Sequence, residues 1–332
     1  MLSSIGGRSM PDGIDAIAHR MVHVNGIDVH IAEAGEGPLV LLLHGFPELW
    51  YSFRHQIVPL ARAGYHVVAP DLRGYGGSDA PAEVEQYTLL HIGGDVVGLI
   101  EALGGAPCVL VGQDWGSPAA TATALFRPDL VRGIVLLSTP YTPRGDVDFL
   151  TDLTQRLGPD NYQVFFQEPG VAEAVLEADV RSTVVGSLIG VSGDAPQVHT
   201  TTGIDPDAPL PVLTPGALPA WLAEADVDVY CAAFTRTGYR GALNWYRNHR
   251  ANWELMAPWH LAPVTAPSMF VGGERDPVLN WPGFRQLVDE LGDRFMPNLT
   301  DTVILPGCGH WLPQERPAEV TRLLERFLAD LR

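Results

Sequence analysis

Pro107-Cys108-Val109-Leu110-Val111-Gly112-Gln113-Asp114-Trp115-Gly116-Ser117-Pro118-Ala119-Ala120 runs from an apolar stretch through a polar turn into small residues. That order predicts a buried strand, a tight turn and a helix lying close against the strand. Gly112 and Gly116 stand two residues either side of Asp114, the spacing of an elbow that lifts one nucleophilic side chain above a sheet. Glycines relieve the strained backbone and close approach that such a turn imposes. An aspartate just before a helix commonly serves only as an N-cap. As a nucleophile it predicts an alkyl ester formed at a saturated carbon, where a serine would predict acyl transfer.

The rest of the chain extends the alternation of strand and helix. Residues 21–31 alternate around Asn25-Gly26, a hairpin signal. Residues 38–43 form a continuous apolar run, as in a central parallel strand covered on both faces. Further strands are expected at 66–70, 133–137, 268–271 and 302–305, with a helix at 90–103. The closing helix places apolar positions 320, 323, 324, 327, 328 and 331 on one face. The pattern implies an α/β fold with a doubly wound, mostly parallel sheet. Residues 141–247 interrupt it, being helix-rich and without clear strands, and 193–219 reads as a long surface loop within them. The expected organisation is a polar leader (1–20), a core in two parts (21–140 and 248–332) and an inserted helical cap (141–247) over the carboxyl ends of the strands.

Composition narrows the class. A chain of 332 residues, 46% hydrophobic and 18% charged, can bury a large core. The net charge of −18, with 21 Lys plus Arg and no basic run interleaved with aromatics, argues against nucleic acid and anionic membrane partners. No stretch has the length of a signal peptide's apolar core or of a membrane span. Cys108, Cys231 and Cys308 lack metal-ligand spacing, so neither a metal site nor a disulfide scaffold is expected, and the simplest setting is reducing and cytoplasmic. No cofactor motif is present in the sequence.

Three more segments end at strand tips, where an open α/β sheet places its active site. His44-Gly45-Phe46-Pro47-Glu48 follows 38–43, and its loop would aim the Phe46 N–H into the site. With the Trp115 N–H it would form an oxyanion hole. Gly272-Gly273-Glu274-Arg275-Asp276-Pro277 follows 268–271 and offers Asp276 as an acid; Pro306-Gly307-Cys308-Gly309-His310-Trp311 follows 302–305 and offers His310 as a base. Singly, each has an ordinary reading as a turn. Together, the order nucleophile, acid, histidine (114, 276, 310) is that of the α/β-hydrolases.

From about residue 21 to its end the chain resembles the soluble epoxide hydrolases of the α/β-hydrolase superfamily. The segments that carry the resemblance are His44–Glu48, Asp71-Leu72-Arg73-Gly74-Tyr75-Gly76, Gly112–Gly116 and Gly309-His310-Trp311. More specific are Tyr162-Gln163-Val164-Phe165-Phe166-Gln167-Glu168-Pro169-Gly170 and Leu243-Asn244-Trp245-Tyr246-Arg247-Asn248. The resemblance implies that Tyr162 and Tyr246 point down from the cap and hydrogen-bond the epoxide oxygen. Asp114 would then attack a ring carbon, and water activated by His310 and Asp276 would release a vicinal diol. Trp115, Phe46 and Phe166 are expected to line a cleft for a small apolar epoxide, while Tyr230 and Tyr239 are expected to be packing. Gln113 departs from the histidine that relatives often carry, and its side chain is expected to point away from the chemistry. Oligomeric state is left open, a homodimer included. A haloalkane dehalogenase would use the same aspartate but needs halide-stabilising N–H donors, and commonly has Asn where Phe46 stands. Phe46 with the two tyrosines favours the epoxide. A catalytically silent relative would be expected to have lost a catalytic side chain, and all five are present.

Overall fold

The computed structural model describes residues 13–195 and 218–331. Its sheet comprises β1 (Ala18–Val24), β2 (Ile27–Ala34), β3 (Leu39–Leu43), β4 (His66–Pro70), β5 (Cys108–Gln113), β6 (Val131–Leu137), β7 (Ser268–Gly273) and β8 (Leu299–Leu305). The spatial order is β1-β2-β4-β3-β5-β6-β7-β8. β2 runs antiparallel to β1 and β4, and every other neighbouring pair is parallel.

Why β3 is apolar at every position is visible in its packing. Leu39, Leu41 and Leu43 enter the core on one face of the sheet, with Ile92, Val96 and Ala120. Val40 and Leu42 enter the core on the other, with Ile57, Leu60, Leu324 and Phe327. Successive side chains point to opposite faces, so a strand buried on both cannot alternate with polar residues. Helices Leu89–Ala102 and Gly116–Phe126 cover the first face; Arg54–Arg62 and Pro317–Asp330 cover the second.

The hairpin turns at Asn25 and Gly26, both left-handed (φ 48° and 78°), as a tight turn matching strand twist requires. β1 begins at Ala18, paired with Glu33. Residues 18–20 therefore belong to the sheet rather than to a leader, because their backbone finds partners on β2 and Arg20 finds Glu33. Residues 1–12 of the expected leader lie outside the described residues.

Between β6 and β7 the described chain forms helices and no strand: Phe149–Leu157, Tyr162–Phe165, Val171–Leu176, Val180–Gly190, Glu224–Thr237, Arg240–Arg247 and His249–Leu255. Asp148, Asn161 and Asp179 cap three of them, each side chain accepting an N–H of the first turn. The helical run continues past residue 247, where His249–Leu255 packs on both Phe149–Leu157 and Leu89–Ala102. Most of the expected long loop, 196–217, lies outside the described residues. Among the described residues no helix is long and apolar enough to cross a membrane.

Candidate active site

β5 ends at Gln113 and the next helix starts at Gly116, so Asp114 occupies the turn, with φ of 50°. A non-glycine residue rarely adopts that region, and such strain clusters at functional sites. A Cβ at Gly112 would collide with the Gly116 backbone, and one at Gly116 with the carbonyl of Leu43. Both glycines are therefore needed to let strand, helix and β3 approach. Ser117 braces the elbow by donating to the Gly112 carbonyl (2.9 Å).

The Phe46 N–H donates to Asp114 Oδ1 (2.8 Å), while Asp114 Oδ2 stands 3.4 Å from His310 Nε2. His310 Nδ1 lies 3.0 Å from Asp276 Oδ1. Asp276 is fully buried, its Oδ1 also accepting the Val278 N–H (2.9 Å). The structure thus brings Asp114, His310, Asp276 and the Phe46 amide together at the tips of β5, β8, β7 and β3. Trp115 follows Asp114 directly, at the mouth of helix Gly116–Phe126. Burial opposes charge on the His310 ring, but the carboxylates of Asp276 and Asp114 overcome it and hold its pKa well above the ordinary value.

Above this floor, Tyr162 begins a short helix after the Asn161 cap and Tyr246 lies on Arg240–Arg247. Their rings meet edge to face with centroids 5.9 Å apart. Phe166 packs on Tyr162 (5.3 Å), Tyr246 (5.1 Å) and Phe46 (5.6 Å), and Trp115 meets Tyr246 at 5.1 Å. Phe46, Trp115, Tyr162, Phe166 and Tyr246 thus form one connected group of rings beside Asp114. One amide joins the two tyrosine-bearing segments: Gln167 Nε2 donates to the Gln163 carbonyl (2.8 Å) and to that of Tyr246 (3.1 Å). Burial raises both phenol pKa values, with Asp114 adding to the shift, so both remain protonated donors. Tyr230 and Tyr239 are fully buried, Tyr230 sharing a hydrogen bond with Ser52 (2.8 Å) and Tyr239 stacking on Phe234.

Four further residues contribute to the site beyond those the sequence singled out for a role. Ser138, just beyond β6, donates to Asp276 Oδ2 (2.6 Å), and its hydroxyl lies 2.7 Å from His310 Nδ1. It is the centre of a strained γ-turn: its φ is 68° and the Thr139 N–H returns to the Leu137 carbonyl (2.8 Å). Gln113 points away from Asp114 as expected, but Nε2 donates to the His310 carbonyl (2.7 Å). Glu315 accepts N–H bonds from Gly193 and Gly309 (both 2.8 Å) and Trp311 (3.0 Å), clamping the histidine loop. Glu48, fully buried, accepts the Gly45 N–H (3.2 Å). Burial pushes its pKa up to about 7, with Ser52 opposing. Among the described residues no group of His, Cys, Asp and Glu has the arrangement of a metal site.

A sequence model described as alpha/beta hydrolase fold matches residues 38–184. The chain is 41% identical over 317 residues to "Epoxide hydrolase 1" of Siraitia grosvenorii, covering 95% of this chain and 99% of the relative. It is 40% identical over 322 residues to "Epoxide hydrolase A" of Mycobacterium tuberculosis, covering 95% and 98%. Among solved structures, an epoxide hydrolase from an endophytic Streptomyces is 45% identical with a TM-score of 0.89, covering 95% and 96%. An epoxide hydrolase from Vigna radiata is 39% identical with a TM-score of 0.90, covering 96% and 100%. With its elbow aspartate, strand-tip histidine and helical cap, the chain belongs to the epoxide hydrolases of the alpha/beta hydrolase fold.

Proposed function

We propose that the protein converts an epoxide to a vicinal diol in two covalent steps. The observation that carries this reading is the setting of Asp114, held by the Phe46 N–H on one oxygen and facing His310 with the other, beneath two protonated phenols. An Asp114 oxygen attacks a ring carbon, the epoxide C–O bond breaks, and the departing oxygen, hydrogen-bonded by Tyr162 and Tyr246, takes a proton from the phenol pair. A carboxylate is already nucleophilic, so His310 has no part in this step.

Ester formation removes the negative charge of Asp114, one of the two charges that favour a proton on His310. The imidazole pKa falls and the ring gives up its proton, replacing the one passed to the epoxide oxygen. The neutral ring, oriented by Asp276, then takes a proton from the water that attacks the ester carbonyl and hands it to the departing alcohol oxygen. The Phe46 and Trp115 amides, the latter at a helix N-terminus, stabilise the tetrahedral oxyanion. The core (21–140 and 248–332) supplies carboxylates and base; the cap (141–247) supplies the phenols. Phe46, Trp115 and Phe166 select a small apolar epoxide. Cys108, Cys231 and Cys308 are free thiols, which fits a reducing, cytoplasmic setting.

A single turnover with excess enzyme and an aryl epoxide in heavy-oxygen water tests the reading. The first diol is expected to be unlabelled, its new oxygen having come from Asp114; labelled diol would mean direct attack by water and overturn it.

A further inference from the structure

His249 has no place in the two steps above, yet it stands beside them. It is buried, and its ring stacks on Trp115 with centroids 5.5 Å apart and 27° between planes. Its Nε2 lies 2.8 Å from Gln163 Oε1, and Gln163 Nε2 lies 3.0 Å from the Tyr162 hydroxyl. The polarity of this chain of contacts follows from what each atom can do. An amide oxygen only accepts, so His249 Nε2 carries a hydrogen toward it; an amide nitrogen only donates, so the Tyr162 oxygen is the acceptor.

A phenol has one proton to give. With Gln163 donating to its oxygen, Tyr162 keeps that proton for another partner. Were the Gln163 amide reversed, Oε1 would accept the Tyr162 proton and take it out of use. The Gln163 backbone is fixed on both sides, its N–H on the Asn161 cap (2.8 Å) and its carbonyl on Gln167 (2.8 Å). That leaves the amide orientation to His249.

We propose that His249 and Gln163 are positioning residues that set the direction of the Tyr162 hydroxyl, leaving its one proton for the epoxide oxygen. The inference rests on the functional reading above and deepens it: the relay acts on ring opening and not on ester hydrolysis. Burial pushes the His249 pKa down to about 4, with Asp148 opposing, so a neutral ring with one N–H is the working form at neutral pH.

The test separates the two chemical steps by single-turnover stopped-flow fluorescence. Diol formation by the wild type checks the functional reading first; the relay is judged on the variants' ratio of alkylation to hydrolysis. His249→Phe keeps a stacked ring and removes the donor, and Gln163→Leu removes the amide. Both are expected to alkylate about tenfold more slowly, the effect of one lost hydrogen bond in the transition state, with hydrolysis unchanged. His249→Gln, which restores an N–H, is expected to recover most of the rate. Wild-type alkylation in both variants, or equal loss in both steps, would overturn the relay in favour of plain packing. Should His249→Phe fail to fold, the comparison of Gln163→Glu with Gln163→Leu decides. A carboxylate would accept the Tyr162 proton, so the relay requires slower alkylation with the isosteric Glu than with Leu; the opposite order overturns it.

Discussion

The floor and the roof of the site are held by different forces. Asp114, His310 and Asp276 sit at strand tips and are fixed by short hydrogen bonds, among them 2.8 Å from the Phe46 amide and 2.6 Å from Ser138. Tyr162, Phe166 and Tyr246 lean on one another as rings, with centroids 5.1 to 5.9 Å apart. Hydrogen bonds are directional and weaken steeply when bent, whereas edge-to-face rings tolerate a range of distances. On the proposed mechanism, the difference assigns precision to ester hydrolysis and adaptability to ring opening, where epoxides of different shape must fit. Directional elements enter the roof through Gln167, which ties the two tyrosine-bearing segments, and through the His249–Gln163 contact.

The largest test of this division lies at its base. Asp114→Ala is expected to lose activity by about ten-thousand-fold or more and to form no alkyl-enzyme. His310→Gln should alkylate and then stall, leaving an adduct visible by intact-mass spectrometry; normal turnover by that variant would break the assignment. Next comes the roof: Tyr162→Phe or Tyr246→Phe should slow alkylation by about a hundred- to a thousandfold while ester hydrolysis proceeds. Loss confined to hydrolysis would reverse the roles of floor and roof.

Glu48 gives an intermediate effect, read in stability. It ionises near 4.5 in the unfolded chain and at about 7 in the fold. Between those values the folded state holds the extra proton, so this contribution is full below pH 4.5 and is lost as pH rises toward 7. Glu48→Gln should remove that part of the pH slope in denaturant titrations, on the order of 3 kcal/mol across the window. An unchanged slope would place the titration elsewhere. The smallest effect is expected from Ser138→Ala, which loosens Asp276 and the His310 tautomer: hydrolysis about tenfold slower, alkylation spared. If alkylation falls equally, Ser138 supports the fold and not the base.

The floor was legible because a short apolar run precedes each of its residues, and such runs mark strands whose ends are where an open α/β sheet places its site. Leu39–Leu43 leads to Phe46, Met269–Val271 to Asp276, and Val303–Leu305, at the end of a strand whose Thr300, Asp301 and Thr302 are polar, to His310. The roof offered no such rule. Tyr162 opens a helix of four residues, and nothing in its neighbourhood separates it from Tyr230, bonded to Ser52, or Tyr239, stacked on Phe234; its expected role came from resemblance. Ser138 was invisible because its left-handed backbone and both its partners are set by tertiary structure. His249 lay just beyond the expected cap boundary at 247. Its nearness to Tyr246 in the chain gave no periodic signal, because Tyr246 lies on one helix and His249 opens the next.

Glu315 joins amides that belong to different parts of the chain: Gly193 at the end of a cap helix, Gly309 and Trp311 on either side of His310. Amides that share one carboxylate lose a common anchor when it moves, which predicts a single exchange unit. In deuterium-exchange mass spectrometry the peptides bearing Gly193 and those bearing Gly309 and Trp311 should therefore lose protection at a common rate. A common rate would mean that freeing the chain after the cap helix also loosens the loop bearing His310, on which the proposed ester hydrolysis depends.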